Sequence, residues 1–180
     1  MASTTDVAFT PAVKALQERR GSRRSYARLE QKGGWPAAVT PELAAFIAER
    51  NSLYFATASS DGQPYVQHRG GAKGFLQVLD ERTLALDDLE GNRQYVTLGN
   101  LSENPKAFIF LMDYARQQRV KLWGTATIEE HGGRRRIVFR IAAWDVNCPR
   151  HIPRKYDADE VEALLAAQRD QGGGAAGSMP

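Results

Sequence analysis

Strand-like segments follow one another through the middle of the chain with too few residues between them for helical crossovers. Residues 53–58 and 64–68 flank Asp61-Gly62, a dipeptide typical of tight hairpins. Residues 119–129 and 136–144 are joined by a short glycine-rich turn. Strands connected in this way run antiparallel, because a parallel pair needs a connection of about a dozen residues or more. The pattern predicts an antiparallel sheet and argues against a doubly wound parallel one.

The predicted sheet has about six strands, and one apolar face favours a closed or partly split barrel with flanking helices. The fold class is therefore mainly β, within α+β. Residues 107–112 are apolar throughout, which predicts a strand buried on both faces. A short helix is expected between strands four and five, where Tyr95, Leu98 and Leu101 have helical spacing before Asn104-Pro105.

The flanking segments divide the chain into three parts. Residues 1–39 form a helical arm that is too weakly apolar to fold alone, so we expect it to lie across the core or reach a neighbouring subunit. Residues 40–170 form the barrel domain, which begins with the helix start Thr40-Pro41-Glu42. It ends in an amphipathic helix, residues 157–169, with its apolar side chains inward. The glycine- and alanine-rich residues 171–180 are predicted to be a disordered tail.

Composition excludes several classes of protein. The 180 residues carry a net charge of only +3, too small by itself to indicate nucleic-acid binding. The single cysteine, Cys148, cannot form an intramolecular disulfide, which fits a reducing compartment. No apolar run approaches the roughly 20 residues that span a bilayer. The first ten residues lack the pattern of a signal peptide, so we expect a cytoplasmic protein without a membrane partner.

Residues 67–95 carry the clearest signs of a ligand site. Arg69 ends a predicted strand and is followed by Gly70-Gly71, while Arg93 follows Gly91-Asn92 at a predicted helix start. Arginine offers a planar fork of donors to phosphate oxygens, and a helix start favours an anion. Glycine allows close approach to the backbone. These two segments predict the two sides of one pocket for a phosphate monoester, without a Walker loop or a Rossmann fingerprint.

A second candidate segment is the proline-containing loop 144–154. It includes Asn147, Cys148 and His151. One cysteine and one histidine are too few for a zinc site, so no metal is expected. A Cys–His nucleophile lacks any recognisable oxyanion-hole motif. A flat aromatic ligand fits the nearby aromatic residues better, and Lys121 and Trp123 alternate on one strand so that both face the same side.

Taken in order, the motifs resemble the pyridoxamine 5′-phosphate oxidase-like flavin-binding proteins over roughly residues 10–155. The closing segment, Trp144 to Ile152, resembles the end of one bacterial branch of the family, described as predicted flavin-nucleotide-binding proteins. The other motifs are Asp61-Gly62-Gln63-Pro64, Arg69-Gly70-Gly71, Gly91-Asn92-Arg93, Leu98-Gly99-Asn100-Leu101, Glu103-Asn104-Pro105 and Lys121-Leu122-Trp123-Gly124.

The resemblance implies a split β-barrel that forms a homodimer, with FMN bound at each of two subunit interfaces. It places the segment from His68 through Arg69 to Gly70 and Gly71 along the flavin ring and ribityl chain. Asn92, Arg93 and Asn100 would hold the phosphate, and Lys121 and Trp123 would approach from the partner subunit. Asn147, Cys148 and His151 would close over the ring.

The implied activity is that of an FMN-dependent oxidoreductase acting on an unknown small molecule, with NAD(P)H or another reductant. Vitamin B6 oxidation is not expected, because Gln94 follows Arg93 where the oxidases carry an Arg-Lys pair. Three alternatives stay open: a flavin store or sensor without turnover, a haem- or deazaflavin-binding relative on the same fold, and a basic binding module. The last would use the arginines of the arm, Arg19, Arg20, Arg23 and Arg24.

Overall fold

The structure is a computed structural model that describes residues 3–89, 91, 93–146 and 149–173. Within these residues, five α-helices and seven β-strands follow a short 3₁₀ helix at Thr4–Val7. The helices are α1 (Pro11–Arg19), α2 (Arg23–Gln31), α3 (Pro41–Ala48), α4 (Val96–Glu103) and α5 (Ala158–Gly173). The strands are β1 (Ser52–Ala58), β2 (Pro64–Gly70), β3 (Gln77–Val78), β4 (Thr83–Asp87), β5 (Lys106–Asp113), β6 (Gln118–His131) and β7 (Arg134–Val146).

All seven strands belong to one antiparallel sheet with the order β2-β1-β5-β6-β7-β4-β3. The predicted antiparallel sheet with flanking helices is therefore confirmed, but the predicted number of six strands is wrong. The strand patterns of residues 75–79 and 83–87, on either side of Asp80-Glu81-Arg82, predict a hairpin, and the structure contains it as β3 and β4. Its first strand, β3, is only two residues long, shorter than the pattern indicates.

The sheet curls so that strands far apart in its order meet through their side chains. Phe55 on β1 and Phe139 on β7 pack edge to face, with ring centroids 6.4 Å apart. Arg69 on the edge strand β2 forms an ion pair with Asp88, directly after β4. The buried core lies inside this curve and includes Leu53, Leu86, Ile109, Leu111, Leu122 and Ile137. Curling buries one face of each strand and brings the two edges of the sheet together.

The outer face of the sheet is only partly covered within one chain. In β5, Ala107, Ile109 and Leu111 are buried, whereas Phe108 and Phe110 on the other face are half-buried. The prediction of a strand buried on both faces is therefore wrong for this chain by itself. Phe108 and Phe110 continue an apolar patch that includes Tyr54 and Val66, which are 39% and 59% exposed. We call these four residues the outer patch.

Local signals predicted the helix starts well. Thr40 accepts a hydrogen bond from the Leu43 amide (3.2 Å) before Pro41, as expected for α3. The last helix differs from expectation, because Val161, Leu164 and Leu165 of α5 are exposed rather than inward. Their spacing fits an amphipathic helix, but a sequence pattern cannot say whether a partner surface exists in the same chain. None of the helices in the described residues is long and apolar enough to cross a membrane.

The N-terminal arm packs on the sheet through a row of aromatic rings. Phe9 contacts Trp35, and Trp35 stacks on Trp123 of β6 at 4.8 Å with an interplanar angle of 11°. The Trp144 indole N–H donates to the Ala38 carbonyl oxygen (2.9 Å), which fixes the end of the arm. Within the arm, the mostly buried Glu30 pairs with Arg23. The arm thus depends on the sheet for its apolar packing.

Trp35→Ala is expected to detach the arm while leaving the sheet folded. Removing a half-buried indole from a stacked pair costs about 2–3 kcal/mol, less than the roughly 3–5 kcal/mol for a fully buried aromatic side chain. Limited proteolysis followed by mass spectrometry should show faster cleavage within residues 1–39. Leu16→Ala is the matched control, because Leu16 is 49% exposed and its truncation should change little. Equal cleavage rates in the two variants would show that the stack does not hold the arm.

Candidate functional site

Two adjoining clefts open where the edges of the sheet meet. The arginine cleft lies between β2, the segment after β4 and the start of α4. Among the described residues, its charged lining consists of Arg69, Asp88, Arg93 and Arg135. The glycine cleft is lined by His68, Gly70, Gly71 and Phe75 among others. Arg69 borders both clefts, so together they form one continuous depression.

A buried carboxylate joins two of the arginines. Asp88 Oδ1 accepts from Arg69 Nη1 at 2.8 Å, and Asp88 Oδ2 accepts from Arg135 Nε at 3.1 Å. The Asp88 side chain is 4% exposed and that of Arg69 is 12% exposed. Arg69 Nε is also buried and has no hydrogen-bond partner in the structure. A buried guanidinium donor without an acceptor favours an anion nearby.

The start of α4 forms the opposite wall of the arginine cleft. Arg93 and Tyr95 adopt left-handed backbone angles, with φ of 61° and 56°, and Tyr95 caps the helix without a side-chain hydrogen bond. Non-glycine residues in this region are uncommon and concentrate at functional sites. The first amides of a helix have no intrahelical acceptor and lie at the positive end of its dipole. Thr97 in the first turn donates to Gln67 of β2 at 2.9 Å, which ties the helix start to the edge strand.

The glycine cleft depends on close packing of the chain beside it. A Cβ atom at Gly71 would lie 2.8 Å from Phe75 Cβ, so a side chain there would displace the loop. The Gly71 amide donates to the Asn51 carbonyl oxygen (2.9 Å), which fixes this turn of the backbone. His68 is exposed at the rim, edge-on to Tyr54 at 5.8 Å. The cleft is therefore walled by backbone on one side and by rings on the other.

The described charges of the arginine cleft leave an excess of two positive charges, from three arginines and one aspartate. Glu90 also lies in this segment by sequence, but outside the described residues. Arg69, Asp88 and Arg135 are buried or half-buried, so their charges are screened less than that of the exposed Arg93. The arrangement suits a phosphate monoester, which carries about −1.5 to −2 at neutral pH.

Comparison with known proteins identifies the family. The sequence model of the pyridoxamine 5′-phosphate oxidase family matches residues 39–165, which include every described residue that lines either cleft. The chain belongs to this family. The match begins at the end of the N-terminal arm and covers the whole sheet. The family resemblance seen in the motifs is thereby confirmed.

Solved structures agree with the oxidase-family fold. HupZ from Group A Streptococcus is 18% identical with a TM-score of 0.50, over 60% of this chain and 93% of that one. A variant of HupZ gives 17% identity and the same score, over 61% and 99%. A putative pyridoxamine 5′-phosphate oxidase from Lactobacillus delbrueckii is 19% identical with a TM-score of 0.49, over 61% and 95%. At these identities the HupZ matches show the fold alone. A search of curated protein sequences found no match.

Of the predicted site residues, those from β2 and the start of α4 come together. Arg69 and Arg93 line one cleft, while His68, Gly70 and Gly71 line the cleft beside it. Asn100 lies elsewhere in α4, where its amide donates to Thr57 Oγ1 of β1 at 2.9 Å. It lines neither cleft, because the hydrogen bond turns it toward the sheet.

The predicted residues on β6 lie on the outer face of the oxidase-family sheet. Trp123 is stacked on Trp35, and Lys121 lies over the Trp123 ring at 5.8 Å. Lys121 is opposite Asp145 in the register of β6 and β7. Burial lowers the pKa of the Lys121 amine, against the attraction of Asp145, and burial raises the pKa of the Asp145 carboxyl. Neither Lys121 nor Trp123 reaches the clefts within one chain.

The closing loop is described only in part. His151 is exposed and has a left-handed backbone with φ of 66°. It lines neither cleft. Asn92, Asn147 and Cys148, all predicted at the cofactor, lie outside the described residues.

Sequence reasoning missed Asp88 and Arg135 as members of the site. Both are common surface residue types, and they are 47 positions apart in the chain. The signal was the register: Asp87 of β4 is opposite Arg136 of β7, so their neighbours Asp88 and Arg135 meet at the same end of the two strands. That register depends on pairing strands that are not consecutive in sequence.

Proposed function

We propose that this protein is an FMN-binding flavoprotein that works as a homodimer and acts as an FMN-dependent oxidoreductase on a small molecule. The observation that supports this proposal most directly is the pair of adjoining clefts. The arginine cleft has an excess of guanidinium groups, and the glycine cleft has a wall of backbone. FMN combines one phosphate monoester with one flat ring system, which matches these two environments. When bound, FMN supplies hydride or single-electron transfer.

The residues fit this cofactor at its charged end. Arg93 and Arg135 together with the first amides of α4 would bind the phosphate, and Arg69 Nε offers a buried donor still without an acceptor. Gly71 and His68 would line the path of the ribityl chain and the ring in the glycine cleft. The protein's contribution is to bind, orient and exclude water around the ring.

A second copy of the chain would complete the site. The outer patch leaves aromatic side chains partly exposed on a sheet whose other face is the core. Lys121 lies on the same outer face, opposite Phe110 in the register of β5 and β6. A partner packed there would bury the outer patch and bring its own Lys121 and Trp123 toward this chain's clefts. Analytical ultracentrifugation should give a dimer, and Phe110→Asp should shift it toward monomer because a charge would be buried in the interface.

The visible spectrum tests the proposal most directly. Protein purified and titrated with FMN should show perturbed flavin absorption and quenched fluorescence, with FMN bound more tightly than riboflavin. Anaerobic reduction by NADH or NADPH would then separate an oxidoreductase from a flavin store. Protein that stays colourless and binds no added FMN would contradict the proposal.

Arg93→Gln is expected to weaken FMN binding by about 10- to 100-fold, the effect of losing one charged hydrogen-bond partner of a phosphate. Riboflavin binding should change little, because riboflavin has no phosphate. Isothermal titration of both ligands gives the ratio directly. Arg24→Gln is the matched control, since Arg24 is exposed on α2 and lines neither cleft. Equal losses for FMN and riboflavin would contradict a phosphate role for Arg93.

A further inference from the structure

Asp88 is an anion already placed among the cations of the arginine cleft. Each of its carboxylate oxygens is used by a different arginine, Oδ1 by Arg69 and Oδ2 by Arg135. Its backbone amide also donates to the Arg135 carbonyl oxygen at 2.9 Å. The Asp88 side chain is 4% exposed, and its carboxylate is held in place by contacts to β2 and β7.

Together with Arg93, the two arginines that Asp88 joins create the excess positive charge of the cleft. A phosphate oxygen bound to either guanidinium would share that group with the Asp88 carboxylate. The phosphate and the carboxylate would then be separated only by the guanidinium, with about one hydrogen bond on each side of it. Repulsion at that distance is strong in a partly buried site, and a dianion feels it twice as strongly as a monoanion. Asp88 therefore offsets part of the positive charge of the arginine cleft and opposes an anionic ligand that would bind there.

Two effects of Asp88 on a ligand oppose one another. It orients the guanidiniums, which favours binding, and it repels an incoming anion, which disfavours binding. The two guanidinium groups are also oriented by contacts other than Asp88. Arg69 is nearly buried on β2, and Arg135 lies over the Tyr95 ring at 5.9 Å. The repulsion has no other source among the described residues of the arginine cleft. Repulsion should therefore dominate.

We propose that Asp88 is a built-in counter-ion that competes with phosphate-bearing ligands for Arg69 and Arg135 and so limits the affinity of the site. This inference rests on the proposed function in placing the phosphate in the arginine cleft. Asp88 thereby sets how readily a phosphate monoester exchanges, and it offsets one of the two charges of the arginine pair when no ligand is bound. Asp88 is a specificity-determining residue and takes no part in electron transfer.

The test is Asp88→Asn, which keeps the shape and removes the charge. FMN and inorganic phosphate should each bind about tenfold more tightly or better, measured by fluorescence titration and by competition. Riboflavin should change by less than about twofold, because it carries no charge. Asp159→Asn is the matched control, since Asp159 is exposed on α5, lines neither cleft and changes the net charge equally.

Unchanged or weaker binding of FMN and phosphate by Asp88→Asn would overturn the inference. If the variant fails to fold in phosphate-free buffer, the inference requires added phosphate to restore its unfolding transition, and failure to restore it would overturn the inference as well. Wild-type protein that binds no FMN, with a variant that gains phosphate affinity, would contradict the proposed function alone. Wild-type protein that binds FMN, with a variant that gains nothing, would contradict only the role of Asp88.

Discussion

Gly124→Ala is expected to destabilise the protein by about 3 kcal/mol or more, enough to unfold a marginal domain. A Cβ atom at this position would overlap the carbonyl oxygen of Arg140 on β7 and would lie 2.8 Å from Phe139 Cζ. Phe139 is fully buried, so neither neighbour can move without disturbing the core. Gly124 also adjoins the register shift at Trp123, where β6 and β7 are offset by one residue. Urea unfolding monitored by circular dichroism gives the change in the free energy of unfolding.

Gly99→Ala supplies the control with the opposite sign. Gly99 lies within α4, and a Cβ atom there would meet nothing within 4 Å. Alanine is favoured over glycine inside a helix by up to about 1 kcal/mol, so this variant should be as stable as the wild type or more so. Similar losses for the two variants would show that close packing at the bulge is not what requires Gly124.

Arg69→Met is expected to cost about 3 kcal/mol, the lower end of the range for breaking a buried ion pair. The loss leaves the buried Asp88 carboxylate with Arg135 alone, whose side chain is 34% exposed. It also removes a buried side-chain link between the edge strand β2 and the segment after β4. Phosphate-dependent binding of FMN should fall together with stability, because the arginine cleft loses a cation.

Lys73→Met separates this effect from the loss of any surface charge. Lys73 pairs with Glu49 at 3.2 Å, but both side chains are more than half exposed. Exposed pairs contribute about 0–1 kcal/mol, so this variant should unfold close to the wild type. Thermal unfolding of both variants at the same ionic strength makes the comparison. A Lys73→Met variant as unstable as Arg69→Met would show that burial of the Asp88 pair is not the cause.

Short sequence motifs predicted the parts of the fold that depend on interactions between neighbouring residues. Thr40 and Pro41 predict the start of α3 because capping and a fixed φ act within one turn. The hairpin at Asp61-Gly62 predicts the β1–β2 pairing for the same reason. The cluster of Arg69 with its glycines and Arg93 was likewise visible, since each segment combines its cation with a special backbone.

Contacts between segments that are distant in sequence decided which apolar side chains are covered and where Trp123 lies. The half-buried Phe110 and the exposed Leu164 have the apolar character of core residues, and only the packed chain shows that neither is fully covered within it. Trp123 was expected at the ligand, and its stacking on Trp35 depends on where the arm docks. Burial is a property of the assembled surface, so a pattern of apolar residues predicts a face but not what covers it.

The sequence by itself determined the family, the antiparallel sheet and the two arginine-bearing segments, because short motifs and hairpin turns act over a few residues. Only the tertiary structure decided that Asp88 and Arg135 join Arg69 in one cleft. Those three residues come from β2, the segment directly after β4, and β7. They meet because the sheet curls and because β4 pairs with β7, three strands further along the chain, as well as with β3. The charge balance of the site therefore follows from a long-range register that no local pattern specifies.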